Sequence, residues 1–434
     1  MPTPPVEPVP AASATGKAPS RADVVVIGGG IVGAATAWHL ARRGVSVVLC
    51  EKGRIGAEQS ARNWGYCRQQ GRDPREVPLI KESLQQWRDM ARDTGRDVGF
   101  RPVGVAHLVA SDAEMGPIDR WMDQARQHGI DTRRLSAKEA ADLTPGATTA
   151  WAGGMMTPSD GRAEPTLAAP ALAAAAADLG AQVLVDCAVR AVETTAGRVS
   201  GVVTERGPIA TGAVVCAGGA WSRLFLGNLG LDLPQLRVLA SVARTGPGAA
   251  ITETAVKTPG FAMRRHLDGG YSVARAATVV HDIVPDSFRL FSGFVGKIRS
   301  DTETVSLRLG RAFFDELRQP RRWAADAVTA FERCRILDPA PHGPTLDRAM
   351  ASLRACFPAL AGVAEVNRWG GMIDATPDTV PVIGPVEAVP GLLVATGFSG
   401  HGFGLGPGAG RLAADLVTGD RPVVDPSPFR FDRF

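Results

Sequence analysis

Residues 22–52 read ADVVVIGGGIVGAATAWHLARRGVSVVLCEK, and this stretch decides the fold. Asp23 to Ile27 is a nearly continuous β-branched run, the pattern of a strand buried on both faces. Ile31 to Arg43 carries apolar residues at helical spacing, and Gly44 stands where a helix C-cap would be. Val45 to Cys50 reads as a second buried strand with Glu51 at its end. Together they form one βαβ half of a doubly wound sheet. Between strand and helix, Gly28-Gly29-Gly30-Ile31-Val32-Gly33 fits G-x-G-x-x-G. Gly28 permits the tight turn, Gly30 lets the backbone approach a pyrophosphate, and Gly33 allows close helix–strand packing. The helix start at Ile31 and Val32 offers unpaired amides and a partial positive charge to phosphates. Glu51, roughly 20 residues on and followed by Lys52, is placed to accept hydrogen bonds from ribose hydroxyls. A glycine-rich turn without a ligand is the bland alternative; it does not explain the acid or the second strand.

The motif alone does not separate FAD from NAD. Two later segments do. Residues 56–71 (GAEQSARNWGYCRQQG) are a polar loop where a nicotinamide enzyme would run into its next helix. Residues 396–406 (TGFSGHGFGLG) are a second strand–turn–helix, whose helix start can aim amides at the flavin pyrimidine edge, where charge builds up on reduction.

At 434 residues the chain is too long for one core and predicts two domains. Its 45% apolar and 21% charged content is that of an ordinary globular protein, and a net charge of +4 gives no case for a nucleic-acid partner. The six cysteines are scattered, with no C-x-x-C pair and no neighbouring histidines, which argues against zinc and disulfides and fits the cytoplasm. No apolar run reaches the roughly 18–20 residues of a membrane span. Residues 1–20, rich in Pro and Ala, read as a disordered leader. The expected fold is α/β: a doubly wound cofactor domain with an antiparallel-sheet substrate domain inserted. The cofactor domain takes 21–100, 155–230 and 349–434; the substrate domain takes 101–154 and 231–348. Within the latter, Val238 to Arg244, Phe261 to His266 and Tyr271 to Ala274 read as strands, and Leu307 to Cys334 as an Arg-rich helical stretch.

These residues resemble the D-amino acid oxidase superfamily, especially its glycine and sarcosine oxidase-like branch, from about Ala22 to Thr418. The most specific parts are the opening motif with Glu51-Lys52, the segment Ser60-Ala61-Arg62-Asn63, and Gly397-Phe398-Ser399-Gly400-His401-Gly402. Weaker support comes from 158–165, from 216–222 and from 369–385. The resemblance implies non-covalent FAD extended between two domains and oxidation of a substrate C–N bond by hydride transfer to flavin N5. It also implies that Val189 contacts the adenine, that Ala217, Gly218 and Trp221 flank the cofactor, and that residues 60–63 and 397–402 flank pyrophosphate and isoalloxazine. No metal is implied.

A carboxylate-bearing substrate needs a cation, preferably Arg. Arg68 stands at about the place where sarcosine oxidases carry a carboxylate-binding Arg; a solvated loop residue or a flavin contact is the alternative. Arg264, Arg265 and Arg275 flank the substrate-sheet strands, where alternation sends only some of them to the pocket. Tyr66 and Tyr271, the only tyrosines, fall in segments expected around the flavin. His401 is a candidate for tuning flavin charge, with a plain turn residue as the alternative. Three departures from the sarcosine oxidase pattern matter. Gly404 replaces a lysine that helps hold the carboxylate. Ala274 or Arg275 stands where an oxygen-activating lysine is expected, so a quinone or partner protein competes with oxygen as acceptor. No His or Cys is in the usual covalent attachment context. The loop from Arg62 to Gly71 is also similar to opine oxidase-type subunits. The leading expectation is oxidation of a D-amino acid, an N-alkyl amino acid or an opine-like amine. The alternatives are a hydroxy-acid dehydrogenase, a tRNA-modifying oxidoreductase and an electron-passing subunit of a larger complex.

Overall fold

The computed structural model describes residues 17–275, 278–300 and 305–434; most of the expected leader, 1–16, lies outside them. Val24–Ile27 sits in the middle of a six-stranded sheet, because a run of β-branched residues has no polar face to turn to water. It pairs in parallel with Val47–Cys50 on one side and Ala213–Cys216 on the other. The order across the sheet is 382–385, 392–396, 213–216, 24–27, 47–50 and 182–184, and only the first strand runs antiparallel to its neighbour. The helix Ile31–Ala41 is buried along its whole length, packed against Gly402–Thr418 and Pro165–Asp178. Small residues permit that approach: a side chain at Gly410 would collide with Ala35. No helix among the described residues is long and apolar enough to cross a membrane.

A second large sheet has ten strands, beside a three-stranded sheet (189–195, 198–204, 207–210) and the short pair of 66–67 with 161–162. Its spine is the long pair Leu236–Thr245 and Glu365–Ala375, antiparallel from Leu236 opposite Ala375 to Thr245 opposite Glu365. From there the sheet continues through Tyr271–Ala274, Ala262–Arg265, Ala255–Lys257, Val105–Val109, Gly153–Thr157 and Arg133–Ser136. The pairing is mostly antiparallel, but Ala255–Lys257 runs parallel to Val105–Val109. The helix Gly343–Cys356 covers one face, with Leu346, Met350 and Leu353 packed on Val256, Met263 and Val273.

Four expectations need correction. Order begins before Arg21: Ala18 is buried, and Ser20 accepts the Ala210 amide at 2.9 Å, because this segment lies along the edge of the 207–210 strand. The Arg-rich stretch from Leu307 to Cys334 is not one helix. It is the end of a strand at Val305–Arg308, the helix Arg311–Arg318, irregular chain and the short helix Ala330–Arg333, since Gly310 and Pro320 interrupt it. The chain after 349 does not go straight to the cofactor sheet; helix 343–356 and strand 365–375 first complete the second sheet. The strand 153–157 likewise pairs with 105–109, so its last residues, 155–157, belong to that sheet.

Candidate active site

The C-terminal ends of three parallel strands, Ile27, Cys50 and Cys216, open onto one crevice, as expected where strand order reverses. It encloses about 870 Å³ of empty space, part of it open to solvent. Gly28 takes φ +103°, and a Cβ there would stand 2.5 Å from the Ala217 carbonyl oxygen. Gly33 packs on the Gly28 carbonyl so closely that no side chain fits. The Ile31 amide donates to Ser60 Oγ at 2.9 Å, which draws the 59–62 helix onto the helix start. The Glu51 carboxylate accepts the Gly29 and Gly53 amides, each at 2.7 Å, and lines the crevice; burial pushes its pKa up. Lys52 donates to Glu58 at 2.6 Å and to the Cys334 and Arg335 carbonyls. Trp221 donates to the same Glu58, and Val189, Ala217 and Gly218 complete the wall.

At Gln59 this crevice meets a second, larger one, with about 1590 Å³ of empty space that again opens to solvent. Arg62, Arg68, Arg72, Lys257 and Arg275 line it, and among the described residues no Asp or Glu does. Arg68 donates to the Gln70 carbonyl, and Arg72 Nε donates to the Arg68 carbonyl at 3.1 Å, while Arg72 Nη1 is buried without a partner. The nearest acids are occupied. Asp160 accepts the Gln69 and Gln70 amides, and Glu76, fully buried, sits 3.0 Å from His401 Nδ1. Sheet register brings Lys257 beside His107, its parallel partner. Burial, then Arg68, holds the Lys257 amine down at about 8. Burial, then Lys257, holds the His107 imidazole down at about 3, so it is neutral. Burial also lowers the pKa of His401.

Ser399, Gly400 and His401 reach this pocket from the C-terminal turn. Gly397 and Phe398 stand behind them: the Gly397 amide donates to Asp374 at 2.8 Å, and Phe398 is part of the core under the six-stranded sheet. Gly402 begins the final helix. Asn63 braces the loop, donating to the Ser60 carbonyl and accepting the Gly65 amide, each at 2.7 Å. Arg62 is spent on the fold, bonded to Asp338 at 2.6 Å and to the Gly370 carbonyl at 2.8 Å. Ala61 and Val32 face neither crevice.

Three sequence candidates are elsewhere or otherwise occupied. Tyr271 is 0% exposed in the core under helix 343–356, where its hydroxyl accepts the Ile251 amide and donates to the Ala249 carbonyl. Arg264 is fully buried, paired with Glu164 at 3.0 Å and bonded to the Trp64 carbonyl at 2.6 Å, in a separate cleft. Tyr66 borders the pocket, but its hydroxyl lies 2.8 Å from the Met263 carbonyl and 2.9 Å from that of Val256. A loop tyrosine next to a sheet finds backbone acceptors there, which its sequence position did not disclose.

The family model for FAD dependent oxidoreductases of the DAO type matches residues 23–416. The chain belongs to the DAO family of FAD-dependent oxidoreductases. L-amino acid deaminase from Proteus myxofaciens, solved in complex with anthranilate, superposes with a TM-score of 0.94 at 35% identity, covering 99% of this chain and 98% of that one. Glycine oxidase from Pseudomonas aeruginosa is 27% identical over 94% of this chain and 97% of its own length. D-amino acid dehydrogenase from Bradyrhizobium diazoefficiens is 26% identical over 83% of this chain and 74% of its own. As a member of that family, this chain is an FAD-dependent oxidoreductase.

The two joined crevices fit that cofactor. The glycine turn leaves room for a pyrophosphate, and Gln59 Oε1, at the junction, is a buried acceptor without a partner. Sequence reasoning for a DAO-family chain missed Lys257, His107, Arg72 and Asp374. The strand Ala255–Lys257 is too short for alternation to announce itself, although its lysine among apolar residues was a signal.

Proposed function

We propose that the pocket beside residues 399–401 is the substrate site, and that Arg68 with Arg72 holds the carboxylate of an amino acid there. The observation that carries this reading is the grouping of Arg68, Arg72, Lys257 and Arg275 around a cavity with no acid in its lining among the described residues. Buried guanidinium groups without a counter-ion are costly, and a carboxylate supplies the missing charge with matching geometry. The name of the L-amino acid deaminase relative agrees with a primary amino acid as substrate. In this reading the chain divides into a cofactor unit and a substrate unit, the six-stranded and ten-stranded sheets, with the reaction at their junction.

FAD, when bound, supplies a two-electron acceptor, so that hydrogen leaves the substrate carbon and nitrogen and the resulting imine is hydrolysed by water. The protein's part is binding and charge. Positive groups around the pocket disfavour a substrate ammonium and favour the neutral amine, whose lone pair assists loss of hydride. Cys67 is fully buried and lines neither crevice, which supports FAD held without a covalent bond. The free thiols favour a cytoplasmic setting. The electron acceptor is oxygen, a quinone or a partner protein; reoxidation of the photoreduced protein in air and with quinone separates these.

The test is anaerobic bleaching of the flavin by a panel of D- and L-amino acids, N-methyl amino acids and hydroxy acids. Bleaching by amino acids is expected. Bleaching by hydroxy acids alone would overturn the amine reading.

A further inference from the structure

The pocket holds more positive charge than one carboxylate requires, and the charge lies in two groups. Arg68 and Arg72 come from the loop that follows strand Tyr66–Cys67. Lys257 and Arg275 come from the ten-stranded sheet. Lys257 is opposite Ala262, and Ala262 is opposite Ala274, so Arg275 follows at the same end of the sheet, two strand spacings away. That places the Lys257 and Ala274 backbones roughly 10 Å apart, a gap that two long side chains converging on one anion can close. Among the described residues neither Lys257 nor Arg275 has an acidic partner. Arg62, the fifth cation of the lining, differs in being neutralised by Asp338.

A single substrate carboxylate would account for one of these positive charges, and FAD, when bound, would lie beside the rest. Asp160 and Glu76 favour the charges of Arg68 and Arg72, whereas among the described residues no acid does the same for Lys257. The cavity, about 1590 Å³ including its mouth, also has far more room than a glycine or alanine fills. Trp121, Met155 and Val105 provide apolar wall between the charged groups.

We infer that the substrate is an amine bearing two carboxylates: Arg68 and Arg72 hold the one next to the reacting carbon, and Lys257 with Arg275 holds the second, several bonds away. The class comprises amino dicarboxylic acids and N-(carboxyalkyl) amino acids. This rests on the pocket being the substrate site. The oxidation is the one already described, so no further co-reactant enters: the amine would lose two electrons and two protons, with FAD as the acceptor, to become an imine, and water splits that imine into an oxo acid and ammonia or an amine.

Two measurements on the FAD-loaded full chain decide it. The first is calorimetric binding of glutarate against butyrate, which reports the second charge without turnover. Glutarate is expected to bind about 30-fold tighter, the effect of one charge-assisted hydrogen-bonded pair. Lys257→Met should reduce that ratio to about 3-fold, and Lys257→Arg should retain most of it. Equal binding of the two acids, or a ratio untouched by Lys257→Met, overturns the inference. The second is anaerobic flavin reduction by glutamate against glutamine, and by iminodiacetate against sarcosine; the dicarboxylate of at least one pair should win by a similar factor, and the pair that responds shows whether the second carboxylate sits on the carbon chain or on nitrogen. Monocarboxylates that equal or exceed both dicarboxylates overturn the inference and leave the amine-oxidising reading intact. If no amine bleaches the flavin, that reading falls, while the glutarate–butyrate ratio still decides the two-carboxylate site.

Discussion

The carboxylate of Asp374 accepts the amide of Gly397 at 2.8 Å, and the Asp374 carbonyl accepts that of Ser399 at 3.0 Å. A strand of the large sheet thereby fixes the turn that delivers Ser399, Gly400 and His401 to the pocket, with Ser399 held at φ +52°. Asp374→Ala leaves the buried Gly397 amide without its acceptor. The expected loss is about 1–3 kcal/mol of stability, with weaker FAD retention. Denaturant titration with and without FAD checks it, and unchanged midpoints in both would remove Asp374 from this role.

Gly33 tests the cofactor end. A methyl group there meets the Gly28 carbonyl, so Gly33→Ala must push the helix away from the turn that surrounds the pyrophosphate. The variant should purify nearly colourless and require at least 10-fold more FAD to regain colour, as a shifted phosphate loop costs more than about 1.4 kcal/mol. Normal yellow protein would show that the motif does not grip FAD in the manner described.

Arg68→Met should raise the KM of carboxylate substrates by about 10- to 100-fold, the range for a lost charged hydrogen bond, and affect uncharged amines far less. Equal losses for both would assign Arg68 to loop structure through its bond to the Gln70 carbonyl.

Lys257 gives the pocket a pH dependence. Its amine titrates at about 8, below the usual lysine value, because burial and then Arg68 disfavour its charge. Below that pH it is cationic and attracts a carboxylate; above it the attraction is lost. Neighbouring His107, held at about 3, stays neutral throughout this window. Affinity for glutarate should therefore fall between pH 7 and 9.5, with the midpoint moved upward by the bound anion. A flat profile over that range, or the same slope in Lys257→Met, would show that another group is titrating.

Tyr66→Phe separates packing from catalysis. Its hydroxyl is bonded to strand carbonyls, so the change should lower stability by about 1 kcal/mol and leave the rate of flavin reduction within a factor of about 3. A large fall in that rate with unchanged stability would restore Tyr66 as a catalytic candidate.

The nucleotide end was legible because its chemistry depends on backbone. Gly28, Gly33 and Glu51 must follow one another at fixed spacing along a strand, a turn and a helix, and a local pattern of that kind is written directly into 22–52. Arg68 was put forward through the resemblance of the following loop to sarcosine oxidases, and it lines the second crevice. The substrate end was not. Arg264 and Tyr271 carry the right chemical groups on strands that do enter the site's sheet, yet Arg264 is locked to Glu164 and Tyr271 lies under the helix 343–356. Lys257 gave no pattern in three strand residues, and acquired its place only by pairing with Val105–Val109, some 150 residues earlier in the chain.

The sequence by itself determined the doubly wound cofactor sheet, because that follows from glycine spacing and apolar periodicity within short segments, while the FAD chemistry and the choice of Arg68 came from the resemblance to a known family. Only the tertiary structure decided which cations share one cavity and which are neutralised by carboxylates. The reason is that charge pairing and sheet register join residues far apart in the chain, and neither leaves a local signature.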